Sequence, residues 1–215
     1  MSKVYIYVVR YDFGFAPNPF GGVCTLACCM PVIRRTASKD DWLIGMGGKD
    51  LKATGRCIYA MRATGEMRFN EYWQSDQFRG KRPVRNGSRK TMVGDNVYHT
   101  DPETGEWLQE NCVHSKPSGE QDQPNTLHDT GTDRVLISEE FYYFGARAPE
   151  VPIKLLNQIG YRNGRGHRVY QKDDCQKLLN WIKDVAGQQA NRVLGDPFQF
   201  RMSDKRYSRT HNRLI

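Results

Sequence analysis

The chain opens on a run of β-branched and aromatic side chains, Val4, Tyr5, Ile6, Tyr7, Val8 and Val9. A continuous apolar run of that length predicts a buried strand over 3–9. A second short strand is expected at 23–28 and a short helix at 33–37. Lys39, Asp40 and Asp41 form a turn that feeds a strand beginning at Trp42. Residues 56–64 alternate as a strand does, and 69–73 read as a short helix with Asn70 at its cap. Strands are expected again at 134–138 and 141–145. The clearest helix comes late: Leu178, Leu179, Ile182 and Val185 share one face, Asp173 or Asp174 caps it, and Gly187 stops it.

Between Phe78 and Asp133 the pattern fades into Gly, Pro, Asn and Asp. A structureless loop of that length is unusual inside a compact domain, so short strands are expected at 96–99 and 107–109. Asp101-Pro102-Glu103-Thr104-Gly105 is the turn that joins them as a hairpin. Many strands around a few helices, without βαβ alternation, predict an α+β fold. Its sheet is expected to be mixed and curved or barrel-like, with a few flanking helices and a C-terminal helix. Residues 1–150 are expected to form the core domain, and 151–215 a basic helical extension packed on it.

Composition sharpens this only slightly. A chain of 215 residues, 38% hydrophobic and 26% charged, has enough apolar material for one sizeable core. It has no apolar run of about 18 residues, so no membrane span is expected. The N-terminal run is too short and strand-like for a signal peptide, which predicts a cytoplasmic protein with its six cysteines reduced.

Charge changes the picture more. The net charge is +8, and residues 156–215 carry 12 Lys/Arg against 5 Asp/Glu, a net +7. Arg79, Lys81, Arg82, Arg85, Arg89 and Lys90 form a second basic run with no acid inside it. Together with Lys205 and Arg206, these are the candidate contacts to nucleic-acid phosphates. A solvated surface is the plainer reading of the same residues.

Candidate chemistry begins in the loop from Tyr11 to Cys29. There Gly and Pro alternate with Phe13, Phe15 and Phe20, which fixes the backbone while presenting large rings, as the rim of a pocket does. Cys24, Cys28 and Cys29 lack the paired spacing of a zinc site, and Cys57, Cys112, His99, His114 and His128 are scattered. No metal and no cofactor is expected. One of these thiols can serve as a nucleophile if a base such as His99 or His114 lies nearby; ordinary buried cysteines are the alternative.

Gly94-Asp95-Asn96-Val97-Tyr98-His99 is a second constellation. On a strand, Asp95 and His99 share one face and Asn96 and Tyr98 the other, an arrangement suited to proton transfer or to reading a base edge. A turn capped by a surface histidine is the rival. His114-Ser115 and His128-Asp129 allow a Ser/His/Asp triad to be drawn, but no strained turn surrounds Ser115. The absence of G-x-G-x-x-G, Walker and kinase motifs argues against nucleoside-triphosphate chemistry.

These residues resemble the second type of nucleotide-modification-associated domain. The resemblance rests on Tyr11-Asp12, Gly14-Phe15-Ala16-Pro17-Asn18-Pro19-Phe20, and Cys24-Thr25-Leu26-Ala27 running through Cys28 to Pro31 and Arg34. It continues in Asp41-Trp42-Leu43-Ile44-Gly45, Gly94-Asp95-Asn96-Val97-Tyr98 and Phe141-Tyr142-Tyr143-Phe144-Gly145. A weaker similarity, from Asp40 to Gly45 and from Phe69 to Trp73, is to PUA-like domains of the EVE, YTH and ASCH groups. That similarity implies a small barrel with a base-sized pocket, although Asp40 replaces the usual Gly and 78–133 has no counterpart.

The resemblance implies a protein associated with DNA base modification, in a phage or bacterial modification or defence setting, with DNA or a nucleotide as partner. Tyr11, Asp12, Asn18, Phe20, Thr25, Arg34, Trp42 and Asn96 are the expected ligand-binding residues. The leading expectation is a binding module for a modified nucleobase. The alternatives are an enzyme acting through Asp95, His99 or Cys28, and a partner-binding component of a defence system.

Overall fold

Every apolar run expected to form a strand is paired in a sheet of the computed structural model, which describes residues 2–215. In chain order the first elements are β1 (Lys3–Val9), β2 (Cys24–Leu26), α1 (Pro31–Thr36), β3 (Trp42–Gly47), β4 (Cys57–Arg62) and β5 (Gly65–Met67). Next come α2 (Phe69–Gln74), α3 (Arg89–Met92), β6 (Tyr98–Thr100), β7 (Trp107–Gln109) and α4 (Gln123–Asp129). The chain continues through β8 (Val135–Ser138), β9 (Glu140–Tyr143), α5 (Ile153–Gln158), β10 (His167–Gln171) and α6 (Gln176–Val185). It finishes with three two-residue strands, β11 (Arg192–Val193), β12 (Tyr207–Ser208) and β13 (Arg213–Leu214).

Six strands make the main sheet, in the order β10-β1-β3-β4-β9-β11. The β1–β3 and β9–β11 pairs are parallel and the others antiparallel. β1, β3 and β4 are covered on both faces, which is why their sequences run apolar without alternation. The sheet is open, with β10 and β11 at its edges, so the expected barrel-like closure is not formed. The α+β class holds. A three-stranded sheet, β2-β8-β5, and the hairpins β6–β7 and β12–β13 complete the strands.

Residues 151–215 do more than the helical extension expected of them, since they supply both edge strands of the main sheet. β10 escapes a sequence reading because only its edge position, not an apolar run, makes it a strand. α6 buries Leu178, Leu179 and Ile182 but leaves Val185 exposed, and its N-cap is Cys175 rather than an aspartate. In α2, Asn70 lies inside the helix. The N-terminal turn is satisfied instead by Asp133, whose carboxylate accepts the Phe69 N–H at 2.8 Å.

Two apolar cores divide the molecule. The first lies around β1, β3, β4 and β9, with α6 packed over it. The second gathers Phe13, Phe15, Cys28, Phe69, Tyr72, Phe78, Tyr98 and Val113, so the polar 78–133 segment helps to build a core of its own. Gly45 pairs with Tyr7 on one side and Tyr59 on the other. A Cβ at this position would collide with the Tyr59 ring, and its absence lets the Tyr7 and Tyr59 hydroxyls meet in a short hydrogen bond. No helix among the described residues is long and apolar enough to cross a membrane.

Candidate active site

Between β2 and α1 the chain makes a sharp strand-to-helix turn. Cys29 and Met30 both have positive φ there, 59° and 42°. Side chains avoid that left-handed region, and such strain gathers at reactive positions. The turn separates three neighbouring thiols: Cys24 and Cys28 are sealed in the cores, whereas Cys29 keeps some exposure. The Cys29 N–H donates to Asp129 Oδ1 at 2.8 Å. Buried Arg34 donates to the Cys29 carbonyl at 2.8 Å and also to the carbonyls of Asp129, Thr132 and Arg134. One guanidinium thus ties this turn to the end of α4.

His114 enters from the loop after β7. Its Nδ1 lies 2.7 Å from Asp129 Oδ2, and its Nε2 lies 3.7 Å from Cys29 Sγ. The ring packs edge-on against Phe15, with centroids 4.8 Å apart. Burial disfavours the imidazolium, but Asp129 and the Cys29 sulfur outweigh it and hold the His114 pKa well above its ordinary value. Burial likewise opposes the Asp129 charge, yet His114 and Arg34 bring that carboxyl down to about 2. The Tyr98 hydroxyl donates to Asp129 Oδ2 at 2.9 Å and is itself braced by Gln109 Nε2 at 2.9 Å.

Thiol, imidazole and carboxylate stand in the order used by cysteine nucleophiles, in which the carboxylate orients the ring and the ring takes or returns the proton of the sulfur. The three ligand atoms fall within 4.8 Å of one another, a spacing that a cation can bridge. Both Asp129 oxygens already accept protein hydrogen bonds, however, which leaves only the sulfur and one ring nitrogen free. The donor set suits a proton relay better than a metal site.

A cavity of about 270 Å³ opens onto this relay, with Tyr7, Tyr11, Phe13, Phe15 and Tyr207 among its walls. Arg10, His128 and Arg209 bring polar groups to it. Burial lowers the His128 pKa to about 4, with Asp129 opposing the shift and Arg209 adding to it.

Of the expected ligand-binding residues, only Tyr11 lines this cavity. Asp12 lies buried, accepting from the Tyr143 hydroxyl and, at 2.9 Å, from the Phe198 N–H. Asn18 and Phe20 border a separate cavity of about 260 Å³, where buried Lys81 donates to Asn18 Oδ1 at 2.9 Å. Thr25 donates to the Asp95 carboxylate at 2.7 Å, and Asn96 Nδ2 to the Tyr72 carbonyl at 2.9 Å. Arg34 is spent on carbonyls, as described. Trp42 belongs to the first core, stacked on Tyr142 at 12° and bordering a third cavity of about 240 Å³. The expected ligand-binding residues therefore do not line one common pocket.

The expected catalytic residues do not converge either. β6 begins only at Tyr98, so Asp95 and His99 share no strand face. Asp95 is fully buried and accepts from Tyr72 at 2.8 Å, while burial raises its carboxyl to about 6. His99 stacks on Trp73, with centroids 4.3 Å apart, and its Nε2 lies 3.0 Å from Glu110. The Cys28 thiol donates to the Asp95 carbonyl at 3.7 Å inside a closed core, and burial pushes it well up.

The basic run is only partly free to meet a ligand. Arg79, Arg89, Lys90 and Lys205 are exposed. Arg82 lies 3.8 Å over the Trp73 ring, Arg85 donates to the carbonyls of Met92, Ser203 and Asp204, and buried Arg206 donates to the Cys112 carbonyl.

Cys29 and His114 were both visible in the sequence as reactive types, and Asp129 as half of a His–Asp pair. Nothing in the sequence joins them, and no local signal marks Tyr7, Tyr207 or Arg209. A family model described as nucleotide modification associated domain 2 matches residues 1–204, a stretch that holds the whole relay and stops short of the β12–β13 hairpin. No curated protein and no solved structure matches the chain, so the PUA-like similarity gains no support.

Proposed function

The chain belongs to the nucleotide modification associated domain 2 family, and on that premise we propose that it is a nucleotide-modifying enzyme whose nucleophile is Cys29. The observation that carries this reading is the Cys29–His114–Asp129 relay in the wall of an aromatic cavity. Rings such as Tyr11, Phe13 and Tyr207 offer π-faces to a nucleobase, which binds them by stacking whatever its sequence identity.

The reactive form of the couple is the one in which Cys29 has given its proton to His114, whose charged form Asp129 favours. The sulfur adds to an electrophilic sp² carbon of the base or of a group the base carries. The electron pair of the broken C=N or C=O π-bond moves to the heteroatom, which takes the Nε2 proton of His114. The adduct is the activated form of the ligand, on which a second reactant must act; without one, return of that proton and electron pair expels the sulfur and restores both the relay and the starting group. The exposed cations Arg79, Arg89, Lys90 and Lys205 are the ones available to a DNA backbone in a base-modification setting.

Alkylation by iodoacetamide, followed by mass spectrometry, tests this reading. Cys29 is expected to react ahead of the five buried cysteines. His114→Ala should slow that reaction by about tenfold or more, and added deoxynucleosides or deoxynucleotides should protect Cys29. Equal rates with and without His114, or no protection by any nucleoside or nucleotide, reject the proposal.

A further inference from the structure

Resting on that reading, we propose that Arg209 is the phosphate-binding residue of the cavity, and that the ligand is a nucleotide rather than a nucleoside or a free base. The cavity is framed by three cationic groups, and two of them are already matched. Arg10 is paired with Asp50 at 2.6 Å and also donates to Asn212 Oδ1 at 2.7 Å. His114 is paired with Asp129. Arg209 has no carboxylate partner among the described residues, and the one hydrogen bond of its guanidinium is to His128 Nδ1, at 2.6 Å.

That bond also defines the histidine. An imidazole whose Nδ1 accepts from a guanidinium carries its proton on Nε2, and His128 Nε2 has no protein partner among the described residues. Arg209 and His128 together therefore hold unspent donors at a cavity that is otherwise mostly aromatic. Arg209 is half-buried at this wall, and an anion there is bound by charge and by the free N–H groups of the guanidinium. Phosphate is the anion that a nucleobase ligand brings with it, and the planar fork of arginine suits its oxygens.

The hairpin that carries Arg209 is tied down on both sides. The Tyr207 N–H donates to the Val113 carbonyl at 2.8 Å, and Asn125 Nδ2 donates to the Tyr207 carbonyl at 2.9 Å. Tyr207 packs against both Tyr11 and His114, with centroids 5.8 Å apart in each case. One short hairpin thus presents a stacking ring and, two residues later, the free cation. A cavity of about 270 Å³ lies near the lower limit for small-molecule pockets, as a single nucleotide requires.

Protection of Cys29 from iodoacetamide reads this out, with deoxynucleosides, their 5′-monophosphates and a phosphodiester-linked dinucleotide as probes. The monophosphate should protect at a concentration about tenfold lower than its nucleoside. In Arg209→Gln that ratio should fall towards one, and Arg209→Lys should give an intermediate ratio; thermal melting verifies that each variant is folded. Equal protection by nucleoside and monophosphate in the unaltered protein overturns the inference, as does an undiminished ratio in Arg209→Gln. If the glutamine variant does not fold, an undiminished ratio in Arg209→Lys overturns it. The dinucleotide distinguishes the source of the phosphate: protection equal to the monophosphate assigns a DNA strand, and weaker protection a free nucleotide. Absence of protection by every probe is the separate result that rejects the active-site reading itself.

Discussion

The sulfur of Cys29 lies 3.7 Å from Nε2 of His114, although 85 positions separate the two residues in the chain. Asp129 closes the set from 100 positions beyond Cys29, holding the Cys29 N–H with one oxygen and the imidazole with the other. Backbone and side chain of the relay are thus set by a single carboxylate. Positioning and charge meet in the same group, and a substitution can separate them.

Asp129→Asn keeps the shape and can keep the bond to the Cys29 N–H, but it removes the charge that favours the imidazolium. Cys29 alkylation should slow by about tenfold or more, because the imidazolium facing the sulfur loses its counter-charge. Iodoacetamide kinetics on the folded variant measure this. An unchanged rate shows that Asp129 only holds the turn.

Stability should respond to pH through the buried acids of the second core and its border. Asp95 and Asp12 are both raised to about 6, chiefly by burial, against about 3.9 for an unfolded aspartate. Between those values the folded state holds more protons than the unfolded state, so stability falls as the pH rises from about 4 to about 6 and then levels. Each carboxyl contributes a fall of about 3 kcal/mol at most. Urea unfolding at a series of pH values should show this slope, and Asp95→Asn should reduce it. A slope of the same size in that variant excludes Asp95 as a source.

Trp42 packs in the first core, and its replacement is expected to affect stability rather than ligand binding at Cys29. It is 2% exposed and stacked on Tyr142, away from the cavity that meets Cys29. Trp42→Ala should cost about 3–5 kcal/mol in unfolding free energy. In the folded variant, both Cys29 alkylation and its protection by nucleotides should match the parent protein. Loss of protection without loss of stability would place a base against Trp42 after all.

Strand positions were legible wherever the chain is covered on both faces, because burial there demands unbroken apolar runs such as Val4–Val9 and Cys57–Met61. The β6–β7 hairpin was legible from its Asp-Pro and Gly turn chemistry. β10 was not, because an edge strand with one covered face tolerates His167, Arg168 and Gln171. The second core was hidden for a related reason. Its apolar residues arrive singly or in pairs, from Phe13 to Ile137, and share no local period.

The sequence by itself determined the residue types on which the chemistry depends: a Gly- and Pro-rich loop running into a cysteine cluster, two histidine pairs and an excess of basic side chains. Which of them act together was decided only by tertiary structure. Asp95 and His99 lie four positions apart yet make no hydrogen bond to each other, while Cys29, His114 and Asp129 meet from three distant segments. Proton relays work over a few ångströms, and that spacing arises where separate elements pack against one another. Periodicity and turn chemistry describe each element alone, so they carry no record of which side chains the packing brings within reach.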